Sequence, residues 1–174
     1  MVGYALNETQ EFMPLATHLA NGLVKKLADD FNIHVFLTGP ARGYVKKRLK
    51  EVNIPYTHIF LKNYLDIVEC YNTLDLYIIT SRVEGGPKAL LEAMAVGVPI
   101  VSTKIGMVPE IIKHGINGFV ADIDDIDQLF QYSVKVIEDN EIREKIIKNG
   151  LKTVKNYGWD TIARSYFSKI YKKL

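Results

Sequence analysis

The chain has 174 residues, enough for one compact domain that buries most of the surface an extended chain would expose. Hydrophobic residues make up 48% and charged residues 24%, the balance of an ordinary soluble globular protein, and no apolar run approaches the roughly 18 residues a membrane-spanning helix needs. A net charge of +2 is too small to point to nucleic acid, and the lone Cys70 excludes an internal disulfide or a structural zinc site, leaving it the role of a small buried hydrophobe.

The amino terminus carries no basic stretch followed by an apolar one, so no signal peptide is read and a cytoplasmic location is expected. Residues 1–6 read as a strand, followed by a long helical stretch through Leu15, Leu19, Leu23, Val24 and Leu27. A second strand at 34–38 closes on Gly39 and Pro40, and 41–51 is a helix with a basic face. A third strand at 57–61 leads to a short helix at 64–71, then to 76–79, whose consecutive apolar positions suit a strand covered on both faces. Glu84-Gly85-Gly86-Pro87 is the next turn, and 88–96 an apolar helix ended by Gly97. A strand at 99–102, a short helix at 110–112 stopped by Gly115, and a strand at 118–120 follow, with helices over 126–138, 140–156 and 159–172. Strands alternating with helices predict an α/β fold: a doubly wound, Rossmann-like parallel sheet of about six strands. No internal repeat or low-complexity tract divides it, so residues 1–174 are read as a single domain.

Such a sheet binds ligands beyond the C-terminal ends of its strands. That selects the loops at 6–10, 39–43 (with Gly39), 61–64 and 81–87, with 103–107 alongside. The most informative is the turn at 81–87. Gly85 and Gly86 let a ligand approach the backbone, and Pro87 suits the first helical positions. The unpaired amides and positive end of the helix favour phosphate there, with Arg82 and Lys88 as cationic donors. Glu92, in an otherwise apolar helix, can reach the crevice and accept two hydrogen bonds from a vicinal diol such as a ribose. Glu84, before the turn, can accept from a sugar hydroxyl.

Glu84, seven intervening residues and Glu92, in the setting SRVEGGPKALLEAMAVGVPIVSTKIGMVPEII, closely resembles the signature of retaining nucleotide-sugar glycosyltransferases of the GT-B fold, the large group 1 family that includes glycogen and sucrose synthases. The likeness is strong over 61–122 and weaker to 174. It implies the C-terminal, donor-binding half of such an enzyme, with Glu84 near the donor sugar as the catalytic-site carboxylate. Gly85 and Gly86 would present amides to sugar and phosphates, Glu92 would bind the ribose, and no metal or other cofactor would be needed. Lys62 and Tyr64 match the segment whose backbone contacts the base. Gly106 with Val108-Pro109-Glu110 resembles the family's glycine-rich turn before a short helix, and 115–120 its turn-and-strand motif. Tyr157-Gly158-Trp159 resembles the start of a terminal helix that crosses to the N-terminal domain, while the residues alone make Trp159 an aromatic anchor between two helices. For His114 a helix C-terminal position suffices as explanation. His18, His34 and His58 take ordinary packing or surface roles.

Two departures qualify the resemblance. Relatives are much longer and carry a first Rossmann-like domain that supplies the acceptor site, so this chain alone is expected to be inactive, with 159–174 packing towards that domain. The family's first strand is also followed by an Arg and a Lys that neutralise the diphosphate. Here Tyr4 and Thr9 or Gln10 stand in those places, forfeiting charge-assisted contacts worth about 1.5–3 kcal/mol each. Arg82, Lys88, Lys104 or Arg42 would have to compensate. The expected partners are a nucleoside diphosphate sugar and the acceptor-binding domain, not nucleic acid. Exposed apolar strand ends and the Trp159 helix would offer a homodimer contact. A basic carboxy-terminal segment, with nine Lys/Arg against three Asp/Glu over 141–174, would offer a peripheral membrane contact, solvated lysines being the plainer reading. The alternative function is a non-catalytic nucleotide- or protein-binding module of the same fold. An NAD-type domain is disfavoured, because 6–10 lacks the glycine fingerprint.

Overall fold

The computed structural model describes residues 15–39, 43–63, 65–86 and 88–171, with side chains from Ala20 onward. The predicted first strand at 1–6, and with it the altered cation positions, lies outside these residues, as do Arg42, Tyr64 and Pro87. The described elements alternate as expected: α1 (Leu15–Asp30), β1 (Val35–Thr38), α2 (Gly43–Glu51), β2 (Tyr56–Ile59), α3 (Asp66–Asn72), β3 (Tyr77–Ile79), α4 (Lys88–Val96), β4 (Ile100–Thr103), α5 (Val108–Ile111), β5 (Phe119–Ala121), α6 (Ile126–Glu138), α7 (Asn140–Val154), a 3-10 turn (Lys155–Tyr157) and α8 (Trp159–Lys169). The five described strands are all parallel and form two hydrogen-bonded groups, β1-β2 and β3-β4-β5.

Apolar residues sit on both faces of the three-stranded group, which makes the fold doubly wound. Tyr77 and Ile79 of β3, Ile100 of β4 and Val120 of β5 pack with Tyr71 of α3, Leu90, Ala93 and Met94 of α4, and Val108 and Ile111 of α5. Ile78, Val101, Phe119 and Ala121 face the other way, onto Leu23 and Leu27 of α1 and Leu129 and Val136 of α6. The pairing of Tyr77 with Ile100, and of Ile78 with Val101 and Val101 with Phe119, keeps each row on one face. Each fully buried Leu or Met contributes roughly 1.5–3 kcal/mol.

Helix limits follow local chemistry. Asp125 and Asp139 cap α6 and α7 by accepting from Gln128 N (2.8 Å) and Ile142 N (2.9 Å). Gly97, at φ +85°, ends α4 as predicted, with Val98 N–H donating to Ala93 O at 3.0 Å. Beside it α4 packs on α7, where Gly150 lets Met94 approach.

Two expectations are corrected. His114 is not a helix C-terminal residue: α5 ends at Ile111, and the His114 ring packs edge-on against Phe119 and Tyr132 while accepting from Val120 N–H at 3.2 Å. The helix stops early because Asn117, 3% exposed, takes over the backbone there. It accepts from Lys113 N–H (2.7 Å) and donates to Ile111 O (3.0 Å) and Thr153 Oγ1 (2.8 Å). Nor does Trp159 anchor two helices; it is 84% exposed at the start of α8, a helix with no buried residue. Cys70 is buried as expected, and burial, with Asp66 and Glu69 nearby, holds its thiol above the usual range.

Candidate functional site

The site is built where β3 runs out into α4. Thr103, fully buried at the end of β4, donates from Oγ1 to Ser81 O at 2.6 Å and so ties the departing strand to its neighbour. Ser81 in turn donates from Oγ to Glu84 Oε1 at 2.9 Å, orienting a carboxylate that is otherwise exposed. The loop after β4 supports the turn from below. Met107 N–H donates to Gly85 O at 3.1 Å, and Gly106, at φ +42°, lies so close that a Cβ there would stand 2.1 Å from Glu84 O and 2.4 Å from Gly85 O. Only glycine fits that position. Gly85 itself faces outward, and a Cβ on it would meet nothing within 4 Å, whereas Gly86 backs onto Met107 Sδ at 3.3 Å. The turn is a buttressed ledge with one open side, and Glu84, Gly85, Gly86 and Lys88 are all exposed.

Glu92 projects from the second turn of α4 with its side chain 18% exposed. Lys88 Nζ lies 3.3 Å from its Oε1, and Tyr71 donates from its hydroxyl to Oε2 at 3.2 Å. Glu84 and Glu92 both bear on Tyr77: burial first, then these two carboxylates, raises the Tyr77 phenol above its ordinary value. Tyr77 also meets Tyr71 edge-on, with ring centroids 5.6 Å apart. Arg82 is engaged from another direction, its guanidinium 3.0 Å from Asp124 Oδ2 in the loop after β5. Asp124 adopts a left-handed backbone (φ 70°) to meet it. The two cations expected to face phosphate are therefore both in ion pairs with carboxylates of the chain.

Gly39 and Lys62 stand with the two-stranded group. Gly39, just past β1, accepts on its carbonyl from His58 at 2.8 Å. The Lys62 and Asn63 N–H groups both donate to Asp66 Oδ2, at 3.1 and 2.9 Å, which closes the start of α3. Lys62's backbone amide, expected to meet a base, is thus used within the chain. The described hydrogen bonds of Gly39 and Lys62 run to these partners and not to the turn at 84–88. A separate cleft of about 390 Å³, lined by Phe31, Asn32, Val52, Asn53 and Pro55 among others, lies at the N-terminal ends of β1 and β2, the end of the strands away from the turn.

Sequence reasoning missed Tyr71, Ser81, Thr103 and Asp124. A tyrosine on the apolar face of α3 needs a partner for its hydroxyl, and that need was the available signal for Tyr71. Ser81 lies three residues before Glu84, a spacing that suits a local side-chain bond. Nothing in the sequence joins Asp124 to Arg82, because the contact depends on how the β3 and β5 loops meet.

Fold and turn together define a doubly wound parallel α/β domain with a glycine-lined ledge between two carboxylates at its strand ends. The chain belongs to the glycosyl transferases group 1 family, whose model matches residues 15–153. It is 29% identical over 108 residues to N-acetyl-alpha-D-glucosaminyl L-malate synthase of Bacillus anthracis, a match that takes in 62% of this chain and 28% of that enzyme. The C-terminal domain of a group 1 glycosyl transferase from Francisella tularensis aligns with a TM-score of 0.68 at 24% identity, over 81% of this chain and 78% of that one. Anabaena HepE, solved with UDP-glucose, aligns with a TM-score of 0.73 at 21% identity, over 90% of this chain and 45% of its own. The two structures establish likeness of fold. The matched part of the chain spans 28% of the Bacillus enzyme and 45% of HepE, less than two thirds of either.

Proposed function

We propose that this domain is the donor-binding half of a retaining GT-B glycosyltransferase. Joined to an acceptor-binding N-terminal domain, it would transfer a sugar from a nucleoside diphosphate sugar to a hydroxyl with retention of anomeric configuration. The observation that carries the reading is the ledge itself: the open backbone of Gly85, flanked by Glu84 held through Ser81 and by Glu92 held through Tyr71 and Lys88. In this reading the amides of Gly85, Gly86 and Lys88 at the start of α4 meet the diphosphate and stabilise the charge that grows on it as the sugar departs. Glu84 takes a sugar hydroxyl and Glu92 the ribose diol. No metal is part of the proposal. The full length of HepE and its UDP-glucose complex support the two-domain, nucleotide-sugar assignment.

One observation favours a second reading, a binding module without catalysis. Arg82 and Lys88 are held by Asp124 and Glu92, so a diphosphate must compete for them. Calorimetry with UDP, GDP and ADP on the wild type and on Glu92→Ala separates the donor-site reading from a protein-binding module. The donor-site reading expects weak binding of one of these nucleotides and its loss in Glu92→Ala. No binding to any of the three would leave the protein-interaction reading. Robust sugar transfer by the chain alone would overturn the half-enzyme assignment.

A further inference from the structure

Glu92 does not stand alone on α4. Its carboxylate is gripped from two sides: by Lys88 one turn earlier on the same helix, 3.3 Å from Oε1, and by the Tyr71 hydroxyl of α3, 3.2 Å from Oε2. The tyrosine is the more rigid of the two. It is 5% exposed, belongs to the core beneath α4, and its ring is locked edge-on against Tyr77 at 81°. Lys88 is exposed, with 70% of its side chain accessible, and so holds its end loosely. A glutamate side chain has three rotatable bonds, and fixing it costs conformational entropy if a ligand must do it. When the protein has already fixed it, that cost leaves the binding step.

We propose that Tyr71 is a positioning residue that sets the Glu92 carboxylate for the paired hydroxyls of a nucleotide ribose. The assignment rests on the donor-site reading of Glu92 and names the residue that makes it selective. Tyr71 does not touch the ligand; it acts through Glu92, and its effect is confined to ligands that carry the diol.

The test compares UDP, GDP and ADP with their 2′,3′-dideoxy counterparts by calorimetry on the wild type, Tyr71→Phe, Glu92→Gln and the double variant. Returning the ordering of the Glu92 side chain to the binding step costs on the order of tenfold in affinity. The ribose-to-dideoxy preference should therefore fall by about that factor in Tyr71→Phe while dideoxy affinity stays put. It should vanish in Glu92→Gln, and adding Tyr71→Phe to Glu92→Gln should change nothing further. A general packing defect would weaken both nucleotide classes and would persist in the double variant. Phenylalanine keeps the ring contacts of Tyr71. Should it nonetheless fail to fold, 3-fluorotyrosine at position 71, a stronger donor of nearly the same shape, should raise the preference. A wild type that binds none of the nucleotides, or binds both classes equally, sinks the donor-site reading itself. A wild type that discriminates, with Tyr71→Phe discriminating equally well, overturns the Tyr71 proposal alone.

Discussion

Two glycines on the same ledge give opposite expectations. At Gly106 the backbone is left-handed (φ +42°), and an added methyl would stand 2.1 Å from Glu84 O and 2.4 Å from Gly85 O, both main-chain atoms that cannot swing aside. The left-handed conformation costs alanine about 1–2 kcal/mol, and forcing a methyl into packed backbone typically adds about 1–3 kcal/mol. Gly106→Ala is therefore expected to lose roughly 2–5 kcal/mol, a large share of the ~5–15 kcal/mol that holds a domain together. With a urea slope of about 2 kcal/mol per molar, its unfolding midpoint should fall by roughly 1–2.5 M.

At Gly85 a methyl would meet nothing within 4 Å, so Gly85→Ala should leave the midpoint within a few tenths of a molar, or raise it slightly by restricting the unfolded chain. The same methyl would fill the open side where a sugar diphosphate is proposed to lie. Calorimetry with UDP should then show binding weakened at least about tenfold, although the fold is intact. The pair is measured by urea melts and titration on the same preparations. Unchanged nucleotide affinity in Gly85→Ala would refute the placement of the ligand against this backbone. An unchanged midpoint in Gly106→Ala would refute the packing of the two loops.

Three further outcomes are expected. Asp124→Asn should cost little stability, since its ion pair with Arg82 is partly exposed and worth about 0–1 kcal/mol, but should strengthen binding of the nucleoside diphosphate several-fold at low salt by removing a carboxylate that competes with phosphate for Arg82; equal affinity at all salt concentrations would argue against a phosphate role for Arg82. Asn117→Ala should lower stability by about 2–4 kcal/mol in urea melts, because it leaves the Lys113 amide, the Ile111 carbonyl and the Thr153 hydroxyl without their buried partner. The raised Tyr77 pKa predicts alkaline lability. Its stabilising contribution is complete below the unfolded tyrosine value near 10 and is lost as pH climbs towards the higher folded value, where the unfolded chain releases the proton more readily. Tyr77→Phe should flatten the fall of melting temperature above pH 10, and an unchanged slope would count against this origin.

Much of the fold was legible because its signals are local. The apolar run at 76–79 and the Gly97 stop each act within a few residues, and α4 and α6 begin and end where their patterns say. The ends of α5 and α8 were misread for a physical reason. Asn117 terminates α5 from six residues beyond Ile111, and α8 keeps a periodic apolar face that periodicity alone cannot tell from a packed one. In the site, the carboxylates and glycines were legible from residue type and spacing. Their supports were not, since Tyr71 to Glu92, Thr103 to Ser81 and Arg82 to Asp124 are contacts between elements that only the parallel sheet brings side by side.

The openness of the ledge bears on how it would work. A site that binds a small ligand tightly normally encloses most of its surface and excludes water, which strengthens each polar contact. Among the described residues this ledge offers one wall. Around the strand ends, apolar side chains face outward: Phe60 after β2, Leu65 before α3, Val83 (88% exposed) before the glycines, Met107 after β4 and Ile123 after β5. Scattered single residues would need no explanation, but these follow β2, β3, β4 and β5 at their C-terminal ends, the end at which the ledge lies. A second wall docking over them would bury that apolar rim and dry the Gly85 backbone in one step, raising the value of the Ser81–Glu84 and Tyr71–Glu92 bonds that already hold the two carboxylates in place. Preset carboxylates on a rigid ledge are what the proposed donor half would require for weak binding alone and strong binding after closure, with desolvation left to the proposed acceptor-binding domain.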